Sequence, residues 1–167
     1  NNSALAVITG GTPTGLSTQI LIFGNITIVA RNGVVANMTQ GQANFIAAYV
    51  NITAGGESLD LINLSVNTTA SNLADLSRLL IFRDTACDNS VTGDNITASR
   101  STVAASEVIG LPGQTVARDA TNCYVVAYNI SSTAVSLAAT TGNRLNVSIG
   151  SQNVTATGNS SRIALTS

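Results

Sequence analysis

Apolar and polar residues alternate with a period of two along much of the chain, most clearly in Gln19–Arg31. Its even positions are all apolar or small, and its odd positions turn polar from Asn25 onward. Because successive side chains of a strand point to opposite faces, this pattern predicts a strand with one buried face. The predicted inward residues, which form the strongest core stripe in the sequence, are Ile20, Ile22, Ile26 and Ile28.

Similar short segments recur along the chain and are separated by turns that contain glycine, asparagine or proline. Asn32-Gly33 predicts a hairpin, because this dipeptide suits tight turns between strands. In the second clear strand the residues predicted to face inward are Ile46, Ala48, Val50 and Ile52. The strands predicted after the hairpin are 34–39, 44–54, 58–68, 103–111, 122–130, 133–139, 144–149, 153–157 and 162–166.

The regular spacing of these strands predicts an all-β sandwich, Ig-like or jelly-roll-like, of about ten short strands. Residues 17–167 would form the sandwich domain, and residues 1–16 an N-terminal extension.

Two segments depart from the pattern. Ala70–Arg83 has leucines at helical spacing after a possible cap at Ser71, and predicts a short helical turn leading into a strand. Asp84–Ser99 is polar and predicts a loop.

The N-terminal extension joins a short apolar segment to a cluster of residues that break regular structure, Gly10-Gly11-Thr12-Pro13-Thr14-Gly15. A tethered strand of this kind can pair with its own domain as an ordinary first strand. It can equally pair with the exposed edge of a neighbouring copy, as a donor strand. Both alternatives stand at this point, and the candidate donor strand consists of Ala4, Leu5, Ala6, Val7, Ile8 and Thr9.

N-glycosylation sequons (Asn-x-Ser/Thr) are in clear excess: eleven occur, against roughly four expected by chance from the Asn, Ser and Thr content. Eight have an apolar middle residue, so that in a strand Asn and Thr would face water and the middle residue the core. Part of the excess can therefore reflect strand patterning, and the alternative is glycosylation at several sites. Besides Asn1, the sequons lie at Asn25, Asn37, Asn51, Asn63, Asn67, Asn95, Asn129, Asn146, Asn153 and Asn159.

Composition favours an extracellular protein. Charged residues make up 9% of the 167 residues, the net charge is −1, and there is no lysine. These values exclude a basic patch for nucleic acid and a polybasic membrane-binding segment. No apolar run is long enough to span a bilayer. We expect a mature secreted chain without its signal peptide, in which Cys87 and Cys123 form a disulfide; two buried free thiols are the alternative.

The residues that commonly carry catalysis are largely missing. With no His, no Lys and no Trp, the chain lacks the commonest general base, the Schiff-base nucleophile and most zinc sites. We therefore expect no enzyme, no catalytic residues and no cofactor other than N-linked glycans. Asp84, Asp88 and Asp94 crowd one polar segment and could hold Ca²⁺, although their spacing is not that of an EF-hand. A solvated loop held by turn chemistry is the favoured alternative.

Residues 49–61, YVNITAGGESLDL, resemble the segment of archaellin outer domains in which a strand is followed by an Ala-Gly-Ser turn and an Ile-Asp-Leu triplet. Archaellins assemble through a long hydrophobic N-terminal helix, which this sequence does not contain. The resemblance implies an outer domain of an archaellin-like subunit.

The overall design, a low-charge, sequon-rich β-domain with a detachable N-terminal strand, resembles archaeal filaments built by donor-strand exchange. These include threads, TasA-like bundling pili and cannulae. The resemblance implies a structural subunit that pairs with identical subunits in a head-to-tail homopolymer at the cell surface. If the tail leaves its own domain, we expect the groove for the incoming strand close to Gln19–Arg31, because this segment has the strongest core stripe and directly follows the hinge at residues 10–15. The alternative from a different class is a monomeric or lattice-forming surface module, such as an S-layer-associated or adhesive domain.

Overall fold

The computed structural model describes residues 24–33, 38–134, 145–149 and 154–167. These residues form two antiparallel sheets, which confirms the predicted all-β sandwich of about ten strands. The first sheet has the strand order β1-β2-β8-β4-β5, and the second has the order β11-β10-β3-β6, with β7 and β9 also paired to β3. The strands are β1 (Asn25–Asn32), β2 (Phe45–Gly55), β3 (Leu59–Ala70), β4 (Leu76–Asp84), β5 (Asn95–Arg100), β6 (Ser106–Gly110), β7 (Thr115–Val116), β8 (Thr121–Ile130), β9 (Leu145–Ser148), β10 (Val154–Gly158) and β11 (Ala164–Thr166).

The core lies between the two sheets and is built from alternate residues of their central strands. Strands β2, β8 and β3 supply most of the side chains with no or almost no solvent exposure. A smaller apolar cluster lies on the outer face of the first sheet, where Leu80 and Phe82 of β4 pack with Val125 and Ala127 of β8. The central strand β8 therefore buries both faces, which explains its nearly continuous apolar sequence.

Strand β1 is the edge of the first sheet in the part of the chain that the structure describes. Ile26 and Ile28 pack against the core as predicted, but this described half of the segment is not the strongest core stripe. Ile26 and Ile28 are only partly buried, and the first half of the predicted strand, with Ile20 and Ile22, lies outside the described residues. The predicted hairpin at Asn32-Gly33 is wrong. Asn32 still pairs with Ala48, and the Gly33 N–H donates to the Ala47 carbonyl at 2.8 Å, so the ladder continues through this dipeptide.

A bulge explains why Ile46 of β2 does not face the core as predicted. The register against β8 shifts between Ile46 and Ala48. Ala48, Val50 and Ile52 face the core as predicted, whereas Ile46 packs against the cluster on the outer face. An inserted residue reverses the facing of the residues before it, because side chains alternate strictly along a strand.

The predicted helical turn followed by a strand is confirmed by the 3-10 turn η1 (Leu73–Asp75) and β4. Its cap is Asn72 rather than Ser71: the Asn72 side chain accepts a hydrogen bond from the Ala74 N–H. The predicted loop Asp84–Ser99 is partly wrong, since β5 begins at Asn95. The predicted strand 103–111 is shorter, and that at 133–139 begins as a turn at residues 133–134, its remainder lying outside the described residues.

One buried polar pair links the sheets. The hydroxyls of Thr68 on β3 and Tyr128 on β8 lie 2.7 Å apart, and both residues are almost fully buried. Burial raises the pKa of Tyr128 to about 12, so its hydroxyl stays protonated at all ordinary pH values.

Substituting Tyr128→Phe should destabilise the domain by about 1–3 kcal/mol, because it leaves the Thr68 hydroxyl buried without its partner. The double variant with Thr68→Val should recover part of that loss, since both polar groups are then gone. Denaturant unfolding of the two single variants and the double variant measures this coupling. The sequon at Asn67 is kept throughout, because its hydroxyl residue is Thr69. If the loss of unfolding free energy in the double variant equalled the sum of the losses in the two single variants, the hydrogen bond between Thr68 and Tyr128 would contribute no coupling energy.

Candidate assembly and glycosylation surfaces

Six of the eight described sequons lie on the outer faces of the two sheets. Asn25, Asn51 and Asn129 belong to strands of the first sheet, and each is followed by a residue that faces the core. Asn63, Asn67 and Asn146 lie in the same way on the second sheet; the residues that follow them, Leu64, Thr68 and Val147, are buried. The predicted arrangement, with Asn outward and an apolar middle residue inward, is therefore present at five of these sequons, and Asn67 shows the same arrangement with Thr68 as its middle residue.

The sequon at Asn95 does not follow this arrangement. Its middle residue, Ile96, is 50% exposed and lies opposite Phe82, on the outer side of the edge strand β5. A register shift between Ile81 and Phe82 reverses the expected facing. Asn159 lies in the turn after β10, and its backbone N–H donates to the Ser58 carbonyl. The sequon asparagines Asn1, Asn37 and Asn153 lie outside the described residues.

An incompletely closed side of the core runs beside β1, and we call it the seam. We define it by five residues: Ile26 and Ile28 of β1, Leu165 of β11, and Leu145 and Ile149 in and directly after β9. All five side chains pack against the core and remain partly exposed. Strand β11 contacts β1 and β9 contacts β2, so the two sheets approach each other here.

The backbone of β1 is paired on one side only within the described part of the chain, where its partner is β2. The N–H and C=O groups on its other side can accept a further strand, as at any sheet edge. Unpaired edge and partly exposed apolar residues therefore coincide at the seam. The candidate donor strand 4–9 lies outside the described residues.

The carboxylate of Glu57 anchors the chain where it enters β1. It is 4% exposed and sits in the connection between β2 and β3. It accepts hydrogen bonds from the backbone N–H of Gly24 (3.1 Å), Ser160 (2.8 Å) and Ser161 (2.9 Å), and from the Ser161 hydroxyl. Gly158 has no room for a side chain, because a Cβ there would collide with this carboxylate. Glu57 thus joins the start of β1 to the turn after β10.

The hydrogen bonds from Ser161, and then those from Ser160 and Gly24, lower the pKa of Glu57 below its ordinary value of 4.5. The stabilisation they give is fully present above the unfolded-state pKa and is lost as the pH falls through the lower folded-state pKa. Charged residues beside this site are Arg162, which follows Ser161 in the sequence, and the exposed pair Arg118–Asp119, whose Asp119 accepts from the Gly56 N–H.

We expect the melting temperature to fall below about pH 4.5 and part of that fall to be absent in Glu57→Gln. The amide cannot accept from all four donors, so this variant should also be less stable at neutral pH. Thermal unfolding between about pH 7 and pH 3 measures both effects. The matched control is Glu107→Gln, which changes the chain's other glutamate and should keep the acid-side loss. If the melting temperature of Glu57→Gln fell at acid pH as much as that of the wild type, Glu57 would not be the source of this loss.

The predicted disulfide is confirmed: Cys87 and Cys123 are bonded, with an S–S distance of 2.01 Å. The bond holds the polar segment after β4 against the outer face of the first sheet, where Val91 packs on the smaller apolar cluster. The aspartates of this segment cap backbone groups. Asp84 accepts from the N–H groups of residues 88 and 89, and Asp94 accepts from the Thr85 N–H at 3.3 Å.

Within residues 24–33, 38–134, 145–149 and 154–167, no three His, Cys, Asp or Glu side chains converge in a way that could hold a metal ion. The same residues include no helix with the length and apolar character needed to cross a membrane. The seam and Glu57 were both missed by sequence reasoning. Their parts lie far apart in the sequence, and no local pattern signals that they meet.

No protein-family model matches the chain, and a search of curated proteins finds no match.

Proposed function

We propose that this chain is the structural subunit of an extracellular, N-glycosylated filament. In this proposal the apolar segment Ala4–Thr9 of each copy adds a strand to the seam beside β1 of the next copy. The observation that carries the proposal is the coincidence at the seam of an edge strand and partly exposed core residues. An apolar strand there would gain backbone hydrogen bonds from β1 and bury its alternate side chains against the core.

The distribution of sequons supports an end-to-end contact. Glycans on both outer faces would keep two sandwiches from stacking face to face, since each face carries three sequons in the described strands. Contacts would then be restricted to edges and ends. A tail that leaves one copy and enters the next makes a heterologous contact, which continues without closing and gives a filament.

The low charge and the disulfide support the extracellular part of the proposal. Disulfides persist in oxidising environments, and glycans would supply the hydration that 9% charged residues do not. No catalysis is assigned to the chain. The most buried carboxylates, those of Glu57 and Asp84, accept hydrogen bonds from backbone groups of the surrounding turns.

Negative-stain microscopy of the purified native protein tests the proposal. We expect filaments one subunit wide that persist on dilution. Isolated particles would favour the monomeric adhesive alternative, and two-dimensional sheets the lattice-forming one; either result would overturn the filament. Filaments whose subunit has a longer precursor with a hydrophobic helix before Asn1 would replace strand insertion by the archaellin-like alternative.

A further inference from the structure

An uncharged groove of about 330 Å³ lies at the end of the first sheet where β8 finishes. It is lined by residues 41–43, by Ser77 and by residues 129–132. Its volume is at the lower end of the range of about 300–1,000 Å³ that is typical of small-molecule sites. None of the lining residues is charged, and five of the eight carry the hydroxyl or amide group of serine, asparagine or glutamine.

The walls of the groove are tied together by backbone hydrogen bonds. The Ile130 N–H donates to the Gln42 carbonyl at 2.8 Å, and the Gly41 N–H donates to the Ser131 carbonyl at 3.1 Å. On the far wall, a register shift in β4 beside Ser77 lets the Ser77 hydroxyl donate to the Asn129 carbonyl at 3.2 Å. The groove is therefore built by the fold and does not depend on the position of one loose side chain.

One sequon asparagine forms part of this groove. The Asn129 Oδ1 accepts a hydrogen bond at 2.9 Å from the backbone N–H of Asn44, which holds the plane of the amide. Asn44 itself has a left-handed backbone conformation, with φ of 54°, which asparagine adopts more readily than most residues. The Asn129 Nδ2 makes no hydrogen bond to any described residue. This nitrogen is the atom to which an N-linked sugar is attached.

We infer that the first sugar of an N-linked glycan on Asn129 is bound in this groove. Its hydroxyl and acetamido groups are neutral and would hydrogen-bond to Gln42, Ser77 and Ser132, while its apolar face would lie over Ile130. The inference rests on the glycosylation that forms part of the proposed function. It does not extend to Asn67 and Asn146, which are exposed on strands β3 and β9.

The test uses the full chain produced in a host whose N-glycans begin with N-acetylglucosamine, trimmed enzymatically to that single sugar at each site. Peptide mapping gives the occupancy of each sequon, and NMR records nuclear Overhauser effects from each acetyl methyl group. We expect the sugar on Asn129 to show effects to protons of Gln42 or Ser132. The sugar on Asn67 should show effects only to its own sequon.

Two variants at residue 131 form a matched pair. Ser131→Ala removes the sequon and keeps the Asn129 side chain, whereas Ser131→Thr keeps the sequon. Slowed hydrogen exchange at residues 41–43 should be present in Ser131→Thr and absent in Ser131→Ala, and comparing both with their unglycosylated forms separates the sugar from the substitution.

An Asn129 that remains unoccupied while Asn67 and Asn146 are modified would overturn the inference alone, as would an Asn129 sugar without contacts to the groove. If no sequon of the native protein carried a sugar, the glycoprotein part of the proposed function would fail as well. Filament formation is scored separately by microscopy, so its failure is distinguishable from either result.

Discussion

Deletion of residues 1–12 should abolish filaments completely while leaving a folded, monomeric sandwich domain. The reason is that the deletion removes the apolar segment Ala4–Thr9, which we propose fills the seam of the next copy, and spares every described residue of the core. Size-exclusion chromatography and negative-stain microscopy measure assembly, and circular dichroism measures the fold. Filaments that still form without residues 1–12 would contradict strand insertion.

A matched pair of charge substitutions tests whether assembly depends on the apolar strand itself or on any part of the N-terminal tail. Val7→Asp places a charge inside the apolar segment, where it would be buried in the seam, and an unpaired buried charge is strongly unfavourable. Thr12→Asp places the same charge in the Gly/Pro-rich connection, which would stay in water. We expect the first substitution to prevent assembly and the second to leave it unchanged.

Replacing both Cys87 and Cys123 by alanine should lower the free energy of unfolding by about 4 kcal/mol. The bond closes a loop with a sequence separation of 36 residues, and the chain-entropy model gives roughly this value for such a loop. Because native stability is typically about 5–15 kcal/mol, this loss would be a large fraction of the total. Denaturant unfolding of the variant and of the wild type checks the value.

Wild-type protein unfolded in the presence of reductant is the control, because it breaks the bond without changing the sequence. Reduced wild type and the double variant should agree within about 1 kcal/mol, since both lose the same loop closure. A loss under about 1 kcal/mol in both would show that the loop after β4 is held by the Asp84 hydrogen bonds and by Val91, and not by the disulfide.

The fold class could be predicted from the sequence because side-chain alternation is a local signal. Strands β2 and β8 begin and end within one residue of their predicted limits, and Val50, Ile52 and Val126 are fully buried. The disulfide followed from the presence of only two cysteines together with other signs of secretion.

Bulges set the limit of that local signal. Ile46 and Ile96 both face the side opposite to the one their position in the alternation predicts, and both lie beside register shifts. A shift depends on how a strand matches its partner, and the sequence of one strand does not reveal it. The pairing of β1 with β2 through Asn32-Gly33 has a similar cause, because the ladder overrides the turn preference of the dipeptide.

The surfaces that carry the functional proposals were less accessible to prediction. The sequence marked β1 as apolar but not as an edge strand, because its place in the sheet depends on the strand order. The groove at Asn129 combines residues from three separate segments, and Glu57 is held by donors up to 104 residues away. Such contacts are tertiary and leave no periodic trace in the sequence.

Disulfide trapping between copies tests the central claim most directly. One chain carries only Ala6→Cys, in the proposed donor strand, and another carries only Ala30→Cys, at an exposed position of β1 on the same face as Ile26 and Ile28. The two are mixed before assembly and oxidised mildly afterwards. Strand insertion predicts a covalent dimer of the two variants, with peptide mapping locating the bond between positions 6 and 30. The contradicting result is the absence of a bond between the two variants together with a bond inside a single chain that carries both substitutions. That result would place the segment in its own domain.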